Sequence, residues 1–236
     1  MNSMLTGALA NLQKQFGTAD FTKWNWTRWQ YYDRCGYASA GTTAIQFFAN
    51  ALGSVDPVTN LNKTLEETNC PQPTSFGPTF FFIFDIMLDL RLATKKRQPA
   101  AIVADTAWTT QTATGLWDVV QAIKNQGIMT IKIADKAYPT IPMPVRQCPG
   151  GFGVHLTGNW THNGAATTDA SWWQGPIHTR ERYRLAPPQL IEPNQNVQFK
   201  WDFTPGTSPA LPTLDGVKPL VYATLILDGM RGVPQQ

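Results

Sequence analysis

Hydrophobic and polar positions alternate most clearly between Thr79 and Leu92, TFFFIFDIMLDLRL. Phe80, Phe82, Phe84, Ile86, Leu88, Leu90 and Leu92 share one parity, while Thr79, Phe81, Ile83, Asp85, Met87, Asp89 and Arg91 share the other. Successive side chains of a strand point to opposite sides of a sheet, so the run predicts a strand of roughly 45 Å with its even face in a core. Asp85, Asp89 and Arg91 interrupt the run, and it is too short for a transmembrane helix. The same period recurs in Val197, Phe199, Trp201 and Phe203 against Gln198, Lys200 and Asp202, and again from Leu220 to Met230, which is apolar on both sides as a central strand should be. Residues 41–50, 101–108, 128–133 and 180–185 are further strand candidates, the last broken by Pro187-Pro188.

Two stretches carry a helical period instead. Leu5, Leu9, Leu12 and Phe16 predict an amphipathic helix over residues 4–16, closed by Gly17. Leu116, Val119, Val120 and Ile123 predict a second over residues 114–126, with Thr114 as cap and Gly127 as stop. Between the first helix and residue 36 lies FTKWNWTRWQYY, an edge strand or an extended arm; the arm, packed into a protein groove, is the preferred reading. Trp24 and Trp26 share a face, and Trp29 and Tyr31 follow with a shift in phase. The pattern as a whole predicts an all-β protein. It divides into an N-terminal helix and arm over 1–36 and a β-sandwich over 37–236, with one inserted helix and long, uneven loops of Greek-key or jelly-roll character.

Composition sharpens this. The chain has 236 residues, of which only 15% are charged, and it carries nine tryptophans. A surface so poor in charge points to large protein–protein contacts. The net charge of +3 is too small for a nucleic-acid binder, and no specific nucleic-acid binding is expected. Cys35, Cys70 and Cys148 are odd in number and far apart, which fits free thiols better than a disulfide framework. The N-terminus lacks a basic region followed by an apolar run, so neither a signal peptide nor a transmembrane segment is expected.

Candidate chemistry is sparse. His155, His162, His178 and Asp169 lie in or beside a neutral insertion, but their spacing matches no metal motif; no cofactor, metal or catalytic residue is expected. Trp160, Trp172 and Trp173 sit in the same insertion and read as loop contacts, with a sugar-stacking platform as the other possibility. A carbohydrate-binding sandwich and a cupin-like metalloenzyme therefore stand as alternatives to a non-enzymatic structural protein.

The run from Tyr183 to Trp201, YRLAPPQLIEPNQNVQFKW, is followed by a Pro-rich loop and a terminal strand ending LDGMRGVPQQ. Together with FFFIFDIMLDLRL and the region from Asn50 to Asn62, this layout resembles the jelly-roll major capsid proteins of tailless icosahedral bacterial viruses. The resemblance covers about two thirds of the chain. It implies a single jelly roll at this length, with the helix at 114–126 as a loop decoration. It also implies a self-assembling shell subunit in a virion, with copies of itself as partners and other virion proteins or an internal membrane as further ones. On that reading Leu5, Leu9, Leu12, Phe16, Trp24, Trp26, Trp29 and Tyr31 form the assembly interface.

Overall fold

Val197 to Asp202 folds as its alternation requires: Val197, Phe199 and Trp201 are fully buried, while Gln198 and Lys200 face water. The structure is a computed structural model, and it describes residues 24–92, 122–123, 126–144, 153–156, 170–173, 183–203, 205–211, 213, 218 and 220–234. These residues form β1 (Trp24–Gly36), β2 (Ala44–Phe47), β3 (Phe80–Leu92), β4 (Ile128–Ile133), β5 (Lys136–Pro144), β6 (Gly153–Leu156), β7 (Ala170–Trp173), β8 (Tyr183–Ile191), β9 (Val197–Asp202) and β10 (Val221–Pro234). One four-stranded sheet has the order β1-β10-β3-β8 and the other β2-β9-β4-β5; β6 and β7 form a separate hairpin. Every strand pairing is antiparallel.

The two sheets enclose one hydrophobic core. Tyr31, Ile86, Leu88, Leu225 and Leu227 enter it from the first sheet, and Phe47, Met129, Ile131, Phe199 and Trp201 from the second. Fully burying a side chain of this size contributes about 1.5–3 kcal/mol. The chain is therefore an all-β sandwich. A relay of rings crosses its interior: Tyr31 stacks on Phe76 at 4.1 Å, Phe76 meets Phe48 edge-on at 5.3 Å, and Phe48 meets Phe199 at 5.5 Å.

β3 corrects the simple alternation. Asp85 pairs with Asp228 and Ile83 with Gly229, so Phe84 is an extra residue with no partner on β10. Such a bulge reverses the facing of everything beyond it. Phe81 and Ile83 point into the core before it, and Ile86, Leu88 and Leu90 after it. Phe80, Phe82 and Phe84, expected in the core, turn to the outer face. There Phe82 and Met230 form a second buried cluster with Trp26, Phe84 and Leu190 against it.

Several other expectations change. Residues 24–36, taken as the end of an arm, are β1, an edge strand of the first sheet, so the sandwich begins by Trp24. Trp24 and Trp26 need no shift in phase to differ from Trp29 and Tyr31: one continuous strand places the two pairs on opposite faces. Pro187-Pro188 does not end β8. That strand is also an edge, and its pairing passes from Arg184 opposite Asp85 to Gln189 opposite Ile83, so the prolines fall where no ladder bond is needed. β5 likewise holds Pro139, Pro142 and Pro144 at the edge of its sheet. The helix expected over 4–16 and the strand over 101–108 lie outside the described residues. Of the helix expected over 114–126, Ala122, Ile123 and Gln126 are described; the first two are helical and Gln126 is in a bend, its N–H donating to the Ile123 carbonyl at 3.1 Å.

Candidate assembly surfaces

The connection from β2 to β3, residues 48–79, carries an unusual concentration of exposed apolar side chains. Leu52, Val55, Val58, Leu61 and Leu65 all protrude, with Leu65 at 64% and Val55 at 52% exposure. Among the described residues, Ile128 is the remaining large apolar side chain so exposed. The segment is held rather than loose. Val55 bridges Asn62, Gly53 N–H donates to the Lys63 carbonyl at 2.9 Å, Lys63 N–H to the Ser54 carbonyl at 2.8 Å, and Asp56 N–H to the Leu61 carbonyl at 3.0 Å. The result is a small hairpin with an apolar, almost uncharged tip.

Two buried acids fasten this hairpin to β1. Asp56 Oδ2 accepts the Gly36 N–H at 3.0 Å, and its Oδ1 accepts those of Val58 and Thr59 at 2.8 and 3.0 Å, closing an Asx turn. A Cβ at Gly36 would meet Thr59 Cγ2 at 2.7 Å, so only glycine lets the turn lie this close. Deeper in, Asp33 and Lys63 pair at 2.6 Å with both side chains out of water. Asp33 Oδ2 also accepts the Phe48 N–H at 2.6 Å and the Cys35 thiol at 3.3 Å. Burial raises the Asp33 carboxyl above its ordinary value, and Lys63 and the hydrogen bonds offset this only in part. Burial also pushes the Cys35 thiol well up and the Cys70 thiol up to about 12, so neither is a ready nucleophile.

The segment after the hairpin runs along β1 and covers its edge. Arg34 N–H donates to the Glu67 carbonyl at 2.7 Å, Tyr32 N–H to Asn69 Oδ1 at 2.9 Å, and the Tyr32 hydroxyl to the Leu65 carbonyl. Glu67 in turn receives the buried Tyr222 hydroxyl at 2.8 Å. The second half of the free edge of β1, from Gln30 to Gly36, is thereby satisfied by its own chain.

The outer face of the first sheet is the second candidate surface. At one end lies the aromatic cluster, where Trp24 meets Phe80 edge-on at 4.5 Å and Trp26 lies 5.3 Å from Phe82. Beside it Arg28 and Gln30 converge on buried Asp228, with Arg28 Nη2 at 2.6 Å from Oδ2 and Gln30 Nε2 at 3.2 Å from Oδ1. On the opposite face Arg231 stacks over the Trp29 ring at 3.9 Å, and Tyr31 is a core residue. The structure thus separates residues that the sequence grouped: Trp24 and Trp26 lie on the outer face, Trp29 and Tyr31 on the inner.

Leu5, Leu9, Leu12, Phe16 and Trp160 lie outside the described residues, as do His162, His178, Asp169 and Cys148. Trp172 and Trp173 belong to β7, where they pair through the backbone with Val154 and Gly153. Among the described residues, no three His, Cys, Asp or Glu side chains gather as a metal site, and no helix is long and apolar enough to cross a membrane. The apolar hairpin was missed in the sequence, although Leu52, Val55, Val58 and Leu61 recur at a regular spacing of three within a polar loop.

Comparison with protein-family models, with characterised proteins and with solved structures finds no match to the chain.

Proposed function

We propose that the chain is a jelly-roll shell subunit, the major capsid protein of a tailless icosahedral bacterial virus, which assembles with copies of itself. The strand order carries this reading. Leaving aside the β6–β7 hairpin, the eight remaining strands numbered in chain order pair as 1-8-3-6 and 2-7-4-5. Each sheet interleaves the two ends of the chain, which is how a jelly roll of two Greek keys wraps. The hairpin of β6 and β7 then decorates the connection between the two halves.

Fold alone does not choose a function, and jelly rolls also serve lectins and cupins. The surfaces favour assembly. The hairpin at 52–65 presents Leu52, Val55, Val58, Leu61 and Leu65 to water on a braced backbone, a patch that asks to be covered. Shell contacts of this kind are heterologous and close only with the right curvature. The double variant Val55→Glu, Leu65→Glu tests the reading. Both side chains are exposed, so fold stability should change by no more than about 1 kcal/mol for the pair, while particles or capsomers seen by negative stain should disappear. Particles that persist at wild-type yield would remove the hairpin from the account.

A further inference from the structure

The Asp33–Lys63 pair is built in a way that a simple tether does not require. Both side chains are withdrawn from water, at 0% and 1% exposure. Among the described residues, Lys63 Nζ has two acceptors, Asp33 Oδ1 at 2.6 Å and the weak Cys35 Sγ at 3.7 Å, so two of its three protons lack a good partner. Two ions in a dry interior with incomplete hydrogen bonding are expensive to keep. Phe48 adds a further oddity. This bulky residue holds a positive φ of 57°, and in that strained conformation its amide aims at Asp33 Oδ2 from 2.6 Å.

We propose that Lys63 Nζ and Asp33 Cγ join in an intramolecular isopeptide bond after folding. An amine 2.6 Å from Oδ1 is in direct contact with the carboxyl group, within reach of the ~3–3.5 Å near-attack separation from its carbon. A proton passes from the ammonium to the carboxylate, leaving a neutral amine and a neutral acid; burial favours the neutral acid and also disfavours the ammonium, while the surrounding Cys35, Asp33 and Asp56 hold Lys63 above its ordinary value and oppose the transfer. The Nζ lone pair forms the N–C bond, and the carbonyl electrons move onto Oδ2. That oxygen faces the Phe48 N–H and the Cys35 S–H, two donors placed where the negative charge develops. When the carbonyl re-forms, the C–Oδ1 bond breaks, and Oδ1 leaves as water with the acid proton and one amine proton. One amide and one water result, and no oxidant or cofactor is consumed. The product replaces two buried ions with a neutral amide and staples the apolar hairpin to β1. The proposal does not depend on the shell reading.

The test is the intact mass of the purified full chain under denaturing conditions, followed by trypsin digestion. The expected mass is about 18 Da below that of the sequence, the loss of one water. Trypsin should fail to cut after Lys63, and the peptide Trp29–Arg34 should be found as a branch on the peptide that contains it. Lys63→Arg, which keeps a buried cation, should return to full mass. A wild-type chain at full mass with Lys63 cleaved overturns the proposal. So does a loss of water traced to the Asp215-Gly216 or Asp228-Gly229 pair, where aspartate dehydrates on its own, with Lys63 still cleaved.

Discussion

No residue but glycine fits at position 229. A Cβ there would stand 1.8 Å from the Phe82 carbonyl oxygen, which is backbone and cannot step aside. That contact lies at the bulge between β3 and β10, where the register shifts between Asp228 and Gly229. Gly229→Ala should therefore cost about 2–4 kcal/mol, read from denaturant midpoints, with Gly206→Ala, whose Cβ would make only an ordinary contact 3.8 Å from the Phe203 carbonyl oxygen, as the near-neutral control. Tyr37 sets a pH limit at the same scale. Its buried hydroxyl lies 2.5 Å from Ser208 Oγ and 2.6 Å from the Pro209 carbonyl, and burial pushes it up to about 12. Burial pushes Cys70 up to about 12 as well. Between the ordinary values of these groups and about 12, the unfolded chain releases protons that the folded chain retains. The folded state then holds more protons, so stability falls as pH rises. Urea midpoints should decline from pH 9 to pH 11.5, and the decline should be shallower in Tyr37→Phe; an unchanged slope in that variant contradicts the assignment.

Elements differ in how openly the sequence declares them. β9 and β4 were legible because each has one wet face and one dry face, and the ladder between them runs from Ile128 to Ile133 without a break. β10 was legible as central because both of its faces are apolar. β3 was legible as a strand but not in its facing. Its unbroken even parity conceals the bulge at Phe84, which depends on a glycine some 145 positions away on β10. A local pattern carries no record of such a partner. The hairpin at 52–65 was lost for the opposite reason: its order comes from buried Asp33 on β1 and from buried Asp56 and Lys63, and the last two look like ordinary loop charges in the sequence. The outer aromatic cluster yields its own prediction. Phe82 is fully buried there, so Phe82→Ala should cost about 3–5 kcal/mol, as a core phenylalanine does, and equilibrium unfolding measures it. A loss below about 1 kcal/mol would mean the cluster is only a surface patch. β1 also redefines where the N-terminal segment can be cut. A deletion through residue 30 would remove half of an edge strand, whereas removing residues 1–23 spares it. The shorter deletion should keep the sandwich folded and abolish particles, as judged by circular dichroism and negative stain.

At the scale of the whole molecule, three of the four edge strands of the two sheets are blunted against association. The second half of β1 is covered by the 64–70 segment, and β5 and β8 carry prolines, while β2 is an edge of only four residues. Proteins that must not add strands to one another use these same devices. On the shell-subunit proposal, contacts between copies would fall to the apolar hairpin and to the outer face of the first sheet. The molar mass of the purified full chain, followed by light scattering after size exclusion across a wide concentration range, tests this most directly. Stable oligomers or closed particles, with the Val55→Glu, Leu65→Glu variant reduced to monomer, are the predicted result. A monomer of 26.2 kDa at every concentration, with the apolar hairpin intact, would contradict the shell subunit.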